Sequence, residues 1–309
     1  MNVLVTGAGG FIGQSLVPLL RARGLNVRTA GREAEFHIAD IGPHTDWSAA
    51  LKGVDAVVHL AGLAHVPPAG DTSQEAAFQR VNVQGVRALL SQAIEAGINT
   101  FVHLSSATVM GRDSGKAAWQ ESDTPAPHNA YARSKLVSEA VVAELAQAAC
   151  IRYAILRPPL VYGPQVKANF QRLIRLAASG LPLPLASIKN SRDMMGVEQL
   201  GAYIFQALST SVWPSGVYFV SDGQPLATPE LLMRLRASMG QPHRLFHCPT
   251  SMLKLAAHLL GRGEEIQRLC GNFRVDISHA QRFLTVAPPD MADALQRTVE
   301  SYQQTRKNA

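Results

Sequence analysis

Cysteine is scarce in this 309-residue chain: Cys150, Cys248 and Cys270 are the three, and no C-x-x-C pair occurs. An odd, unclustered set argues against a disulfide framework and against a cysteine zinc site, and points to a reducing compartment. The ten histidines include no H-E-x-x-H pair, so no metal site is expected. No run of about 18 uninterrupted apolar residues exists, which argues against a membrane-spanning helix. No basic start followed by an apolar run precedes the first strand pattern, so no secretory leader is expected. Charged residues are only 17% of the chain and no block of like charges occurs. That speaks against a nucleic-acid-binding arm. The expectation left standing is a cytoplasmic, soluble protein with no nucleic-acid and no membrane partner.

What is present is a well-cored α/β pattern. Hydrophobic residues make up 47% of the chain, and the net charge is a modest +6, compatible with an anionic small-molecule substrate. Short apolar runs alternate with helical patterns over the first half, which predicts a doubly wound parallel sheet. Strands are expected at 2–7, 26–31, 55–62, 100–106, 153–163 and 216–222. Helices are expected near 12–23, 46–52, 74–97 and 130–149. The strands show little polar alternation, as when both sheet faces are covered. After Tyr162 the texture changes, with more Pro, Arg and Lys, and 228–305 is mostly helical. A Rossmann-type domain over 1–163, rejoined by 196–223, is therefore expected to carry a smaller, mostly helical substrate lobe from 164–195 and 224–309. That lobe would sit at the carboxyl ends of the strands, where such sheets bind ligands.

"VLVTGAGGFIG" sets Gly7, Gly10 and Gly13 between the first strand and the first helix. Glycines allow a tight turn and close backbone approach, and the helix start offers free N–H groups to a pyrophosphate. A dinucleotide is the ligand this loop predicts. The second strand ends on Gly31-Arg32, with Glu33 one place late for gripping a ribose hydroxyl. An arginine here can pair with a 2′-phosphate, so NADP is favoured, with NAD as the alternative. Tyr131 and Lys135, four apart at the start of a helical pattern, share one helix face. A cation one turn away should lower the phenol's pKa from its usual value of about 10.

T-G-A-G-G-F-I-G (6–13), Asp40-Ile41, H-L-A-G-L-A (59–64), Asn82, L-S-S-A-T-V (104–109) and Y-A-R-S-K (131–135) together resemble the extended short-chain dehydrogenase/reductase family. Within it the likeness is to nucleotide-sugar epimerases, dehydratases and ketoreductases, over essentially the whole chain. The resemblance implies that Ser106, Tyr131 and Lys135 are catalytic. Phe11 and Ile12 would lie along the pyrophosphate, and Asp40 and Ile41 beside the adenine. Ala61 and Gly62, next to Leu60, would border the ribose. Asn82, Ser105 and Pro158 complete the implied cofactor contacts. Lys135 would also hydrogen-bond the nicotinamide ribose. His59 and His65 flank the third loop, and His59 is expected to be structural. Met110 stands where many family members carry tyrosine, which implies a looser sugar pocket or one tuned to a 6-deoxy sugar.

"RPPLVYGPQVKANF" (157–170) resembles the family's R-P-x-N-V-Y-G-P segment, with Leu160 in place of asparagine. The match implies substrate contacts from Asn169 and Phe170. "KNSRDMM" (189–195) resembles the R-D-F-V-H segment, making Arg192 the leading diphosphate clamp, with Arg268 and Arg274 as further ones. The implied function is reduction of the 4-keto group of a UDP-4-keto-6-deoxy-hexosamine in surface-polysaccharide synthesis. The alternative is a UDP-hexose 4-epimerase holding NAD tightly. A non-enzymatic redox-sensing dinucleotide binder is the outside reading. A dehydratase fits less well, because Ala107-Thr108 follow Ser106 where an acidic pair would be needed. A homodimer through the helices near 74–97 and 130–149 is also implied.

Overall fold

The computed structural model describes residues 1–64, 71–210, 212–259, 261 and 263–307. Among the described residues nine strands form: β1 (Asn2–Thr6), β2 (Asn26–Gly31), β3 (Phe36–His37), β4 (Ala56–His59), β5 (Thr100–Leu104), β6 (Arg152–Arg157), β7 (Leu160–Tyr162), β8 (Met194–Gly196) and β9 (Gly216–Phe219). Seven of them make one parallel sheet in the order β3-β2-β1-β4-β5-β6-β9. The order reverses between β1 and β4, which opens a crevice at the carboxyl ends of those strands.

The strands are apolar on both faces because helices cover both. Val3, Val5, Val58 and Val102 point to one side, against α1 (Phe11–Ala22) and α7 (Val197–Ser209). Leu4, Val57, Phe101 and Ile155 point to the other. That second layer holds α2 (Ser48–Leu51), α3 (Asp71–Phe78), α4 (Gly85–Glu95) and α5 (Ala130–Ala148). The two-residue alternation follows from the pleat. Each fully buried Val or Leu contributes roughly 1.5–3 kcal/mol, so the sheet half has a deep apolar core on either side.

Two expected elements come out differently. The run 153–163 divides into β6 and β7, because Pro158 and Pro159 lack the N–H groups that a continuing ladder needs. β7 leaves the main sheet and pairs with β8 alone. The expected helix near 74–97 starts at Asp71 and contains a π-helical stretch, Gln79–Gln84, between α3 and α4. Strands β3 and β8, two and three residues long, are too short to show in a hydrophobic pattern.

The second lobe packs α6 (Ala168–Ala178), α8 (Thr228–Ala237) and α12 (Met291–Lys307) around Phe170, Ile174, Leu232, Leu235, Leu295 and Val299. It also carries α9 (Thr250–Leu259) and α10 (Gly263–Cys270), whereas the short α11 (Ser278–Phe283) packs back on the sheet core, with Ala280 buried in it. A small cluster of Val109, Met110, Phe219, Phe273 and Val275 joins the lobe to the sheet half. Backbone bridges at Arg192, to Leu226 and Phe273, reinforce that junction.

Candidate active site

The glycine loop has the shape of a phosphate cradle. Gly7 sits at φ +72°, and a Cβ there would lie 2.7 Å from the Ala61 nitrogen, so only glycine lets the loop rest on the end of β4. At Gly13 a Cβ would lie 2.4 Å from the Gly7 carbonyl oxygen, so α1 descends onto the loop only without a side chain. The helix begins after Gly10 with no side-chain cap and no acidic residue in its first turn. Its first N–H groups and positive dipole end are left for an anion. The side chains of Phe11 and Ile12 pack into the lobe core and the sheet core respectively, so their backbone N–H groups are what they offer. The residues fit a dinucleotide pyrophosphate.

Further along the crevice, three expected residues converge. A Cβ on Gly62 would lie 3.0 Å from Asn82 Oδ1 and 3.5 Å from Lys135 Nζ. Asn82 is held from both ends. Its Oδ1 accepts from the Leu63 N–H at 2.8 Å, and its Nδ2 donates to the Leu63 carbonyl and the Ser134 hydroxyl, each at 3.0 Å. It rides on the π-helical stretch, a local distortion that often re-aims functional side chains. The neighbours Leu60 and Ala61 are tied back to β1, Leu60 by its N–H to the Thr6 carbonyl and Ala61 to the Thr6 hydroxyl.

Tyr131 and Lys135 owe their placement to a cap. The Asn129 side chain accepts from the Ala132 N–H at 2.8 Å and starts α5 one residue before Tyr131. The phenol ring packs edge-on to Phe78, centroids 6.0 Å apart, with the Ser106 side chain close enough to favour its ionised form. Ser106 lies just past β5 and caps the 3-10 turn Ala107–Met110; its Oγ is 2.9 Å from Thr108 Oγ1. Ser106, Tyr131 and Lys135 thus meet at one place.

The direction of the Tyr131 shift corrects the expectation from spacing. Burial pushes the phenol up to about 12, with the Ser106 side chain pulling it back only in part. Lys135 is held by the backbone at the end of β5. Its ammonium donates to the Leu104 carbonyl at 2.8 Å, and burial lowers it to about 8 against the pull of Glu139. In this arrangement Tyr131 is a protonated donor near neutrality.

Beneath these residues lies a charged pair that spacing alone did not single out. Glu139 receives Arg157 Nη2 at 2.6 Å and Nε at 2.9 Å, with both side chains about 5% exposed. Ser105 also donates its hydroxyl to Glu139. Its side chain therefore faces this pair, which leaves its backbone for the expected cofactor contact. Glu139 follows Lys135 by four residues on the same helix face, the one sequence signal that pointed to it. His59 and His103 stack at 5.6 Å nearby. Burial and the Lys135 charge push both down, His59 to about 3, so both rings are neutral.

Several other expectations shift. Phe170 is fully buried and stacks on Tyr162 at 5.3 Å, so it is lobe core and not a substrate contact. Met110 is buried as well, its sulfur 3.4 Å from Arg157 Nη1, so it does not shape a sugar pocket. Arg192 gives its Nη1 to the carbonyls of Arg268 and Gly271, at 2.9 and 2.8 Å, and lies over the Phe273 ring. It ties the end of α10 to the strand junction. Asn169, in the first turn of α6, and Arg268, in α10, are both exposed. Arg274 binds the rim of the site through its backbone, to Ser114 and Trp119.

On the adenosine side, Asp40 pairs with Arg80 on the surface, while Ile41 packs against the sheet core. The Pro158 carbonyl accepts from Ala107 at 2.9 Å. Arg32 is exposed in the turn after β2. Glu33 lines a cavity of about 270 Å³ together with Gly9, Gly13, Gln14 and Thr29, directly beside the glycine loop. Among the described residues, no cluster of three or more His, Cys, Asp or Glu is arranged for a metal, and no helix is long and apolar enough to cross a membrane. His65 lies outside the described residues.

Comparison with known proteins places this geometry in context. The profile of the NAD dependent epimerase/dehydratase family matches residues 3–220. A UDP-glucose 4-epimerase of Vibrio cholerae is 32% identical over 314 residues, covering 98% of this chain and 96% of that protein. The solved structure of MoeE5 in complex with UDP-glucose and NAD superposes with a TM-score of 0.79 at 25% identity, over 99% of this chain and 100% of that one. DesIV, the dTDP-glucose 4,6-dehydratase of Streptomyces venezuelae, solved with NAD, gives 0.78 at 26% identity, over 99% and 98% of the two chains.

Proposed function

The chain belongs to the NAD dependent epimerase/dehydratase family, and within that family we propose that it is a 4-epimerase of a UDP-hexose that works with NAD. The observation that carries this reading is the meeting of Ser106, Tyr131 and Lys135 beside a glycine cradle, in a chain that matches a UDP-glucose 4-epimerase from end to end. The cofactor choice follows from Glu33. A carboxylate lining the cavity beside the cradle can accept from a ribose hydroxyl and repels a 2′-phosphate.

When bound, the nicotinamide supplies a reversible hydride acceptor for the sugar's C4. Tyr131 takes the proton from the 4-hydroxyl as C4 is oxidised and returns it when C4 is reduced on the opposite face. Ser106 hydrogen-bonds the same oxygen. Burial alone holds the phenol protonated, so the first step requires the Lys135 ammonium, charged at neutral pH, to bring out the phenolate once cofactor and sugar are bound. Gly62 and Asn82 keep the crevice open next to Lys135. On the substrate side, Arg192, Arg268 and Asn169 are the residues that would meet the diphosphate.

One observation favours a second reading. A phenol held protonated by burial is ready to donate to a 4-keto oxygen, as a UDP-4-keto-6-deoxy-hexosamine reductase drawing on NADPH would require, and Arg32 would suit the 2′-phosphate. The two readings part in a simple assay. The purified protein is incubated with UDP-glucose and UDP-N-acetylglucosamine without added reductant, and the sugar nucleotides are separated by chromatography. A 4-epimer is the expected product. No epimer, together with NADPH consumption on a 4-keto sugar nucleotide, would transfer the proposal to the reductase.

A further inference from the structure

The α9 helix and the segment leading into it present a surface that holds none of the residues assigned to the site above. Met252, Leu255 and Leu259 are 61%, 62% and 77% exposed, and Phe246, just upstream, is 48% exposed. Positions 252, 255 and 259 fall on one stripe of the helix. No residue of α9 is fully buried. Single exposed apolar residues are ordinary, whereas four large ones within fourteen positions (246–259) mark an interaction surface.

Along the chain, the charge of the segment that carries the stripe has one sign. From Leu231 to Gly263 the chain has no Asp or Glu and five Lys or Arg. Of these, Arg244 and Lys254 are exposed, as are His243, His247 and His258. The spacing His243-x-x-x-His247 falls in non-helical chain, so these two rings do not share a helix face. Lys254 and His258 lie on the flank of α9 beside the apolar stripe, where long stems can follow apolar surface and keep their polar heads in water. The next carboxylates, Glu264 and Glu265, come only at the start of α10.

We propose that this face docks on an anionic phospholipid bilayer surface, with Met252, Leu255, Leu259 and Phe246 entering the headgroup boundary and Arg244 and Lys254 facing lipid phosphates. Apolar stripe plus cationic flank is the pattern of a helix lying in the interface plane. A second copy of the chain is the weaker fit. A two-fold contact sets the same patch against itself, which would bring Arg244 and Lys254 up against their own copies. The docked protein spans nothing; it lies on the membrane.

Co-sedimentation of the full chain with vesicles tests this. The protein should pellet with mixed phosphatidylglycerol–phosphatidylcholine vesicles, stay in the supernatant with phosphatidylcholine alone, and be released by salt. Leu255→Ser with Leu259→Ser should weaken partitioning by about ten-fold or more. Lys254→Glu, an exposed charge reversal that leaves the apolar stripe intact, should weaken it on the anionic vesicles. Both variants should keep the parent's circular dichroism and sugar-nucleotide turnover, which separates this outcome from that of the proposed activity. No pelleting with anionic vesicles, or equal pelleting of parent and both variants, overturns the proposal. So does sedimentation velocity in which the parent is a dimer and the double variant a monomer, because the face would then belong to a second copy.

Discussion

In the sheet half, Tyr131, Lys135 and Glu139 ride one face of a single nineteen-residue helix whose start is fixed by the Asn129 cap. In the second lobe, the expected substrate residues Asn169, Arg192 and Arg268 come from three separate segments, and tertiary packing joins Arg192 to Arg268. The difference has a physical consequence. Where one helix carries the chemistry, spacing dictates geometry, and Tyr131 and Lys135 are buried enough to have shifted pKa values. Where the site is assembled across segments, the same side chains double as structural ties, as Arg192 does with the carbonyls of Arg268 and Gly271.

That contrast can be broken most sharply at Glu139. Glu139→Ala leaves Arg157 buried without its partner, which should destabilise the protein by about 3–5 kcal/mol. Guanidinium denaturation reads this directly, and a loss under about 1 kcal/mol would mean that the pair is not as desolvated as it stands here. Next comes Lys135. Its folded pKa of about 8 lies below the unfolded value of 10.5, so above pH 8 the unfolded chain holds the extra proton. Stability from this group should therefore rise with pH between 8 and 10.5, by up to roughly 3 kcal/mol. Tyr131, raised to about 12, works the other way once unfolded tyrosines titrate near 10. Denaturation midpoints of the parent and Lys135→Met, compared between pH 7.5 and 9.5, should converge if Lys135 is the source, and parallel curves would rule it out.

Tyr131→Phe removes the proton carrier but no packing. Turnover should fall about 10²-fold or more, close to 2.7 kcal/mol in the barrier, with nucleotide affinity retained. A variant within threefold of the parent would take the chemistry away from α5. The smallest effect belongs to the lobe: Arg192→Ala gives up two hydrogen bonds to carbonyls and should cost about 1.5–3 kcal/mol of stability. Arg192→Lys should recover part of that. If UDP affinity falls as well, by calorimetry, Arg192 serves both the fold and the diphosphate; an unchanged UDP affinity leaves it a tie alone.

The parallel sheet, the glycine loop and the convergence of Ser106, Tyr131 and Lys135 were legible because each rests on local rules: strand periodicity, turn chemistry and the i,i+4 face of a helix. The segment likeness brought Ser106 into the set, since nothing in its own surroundings distinguishes it from Ser105, whose hydroxyl turns instead to Glu139. The phenol's shift was misjudged because it depends on how deeply the fold desolvates the group and on which carbonyl the lysine finds, here that of Leu104. Phe170 and Met110 were misplaced for a related reason. A motif position says where a residue falls along the chain, and the core that closes over it is set by distant partners such as Tyr162 and Phe219. Glu33 was visible only as a residue one place late in a pattern; the cavity it lines is a product of how the turn after β2 folds beside α1.

The central claim, a hexose 4-epimerase that works with its own NAD, meets its most direct test in the nucleotide carried by the purified protein. The protein is denatured, and the released compound is identified by absorbance and mass spectrometry and quantified against protein. The account predicts close to one NAD per chain, with Arg32→Asp leaving that unchanged. An empty crevice that fills preferentially with NADPH, and loses that preference in Arg32→Asp, would contradict it.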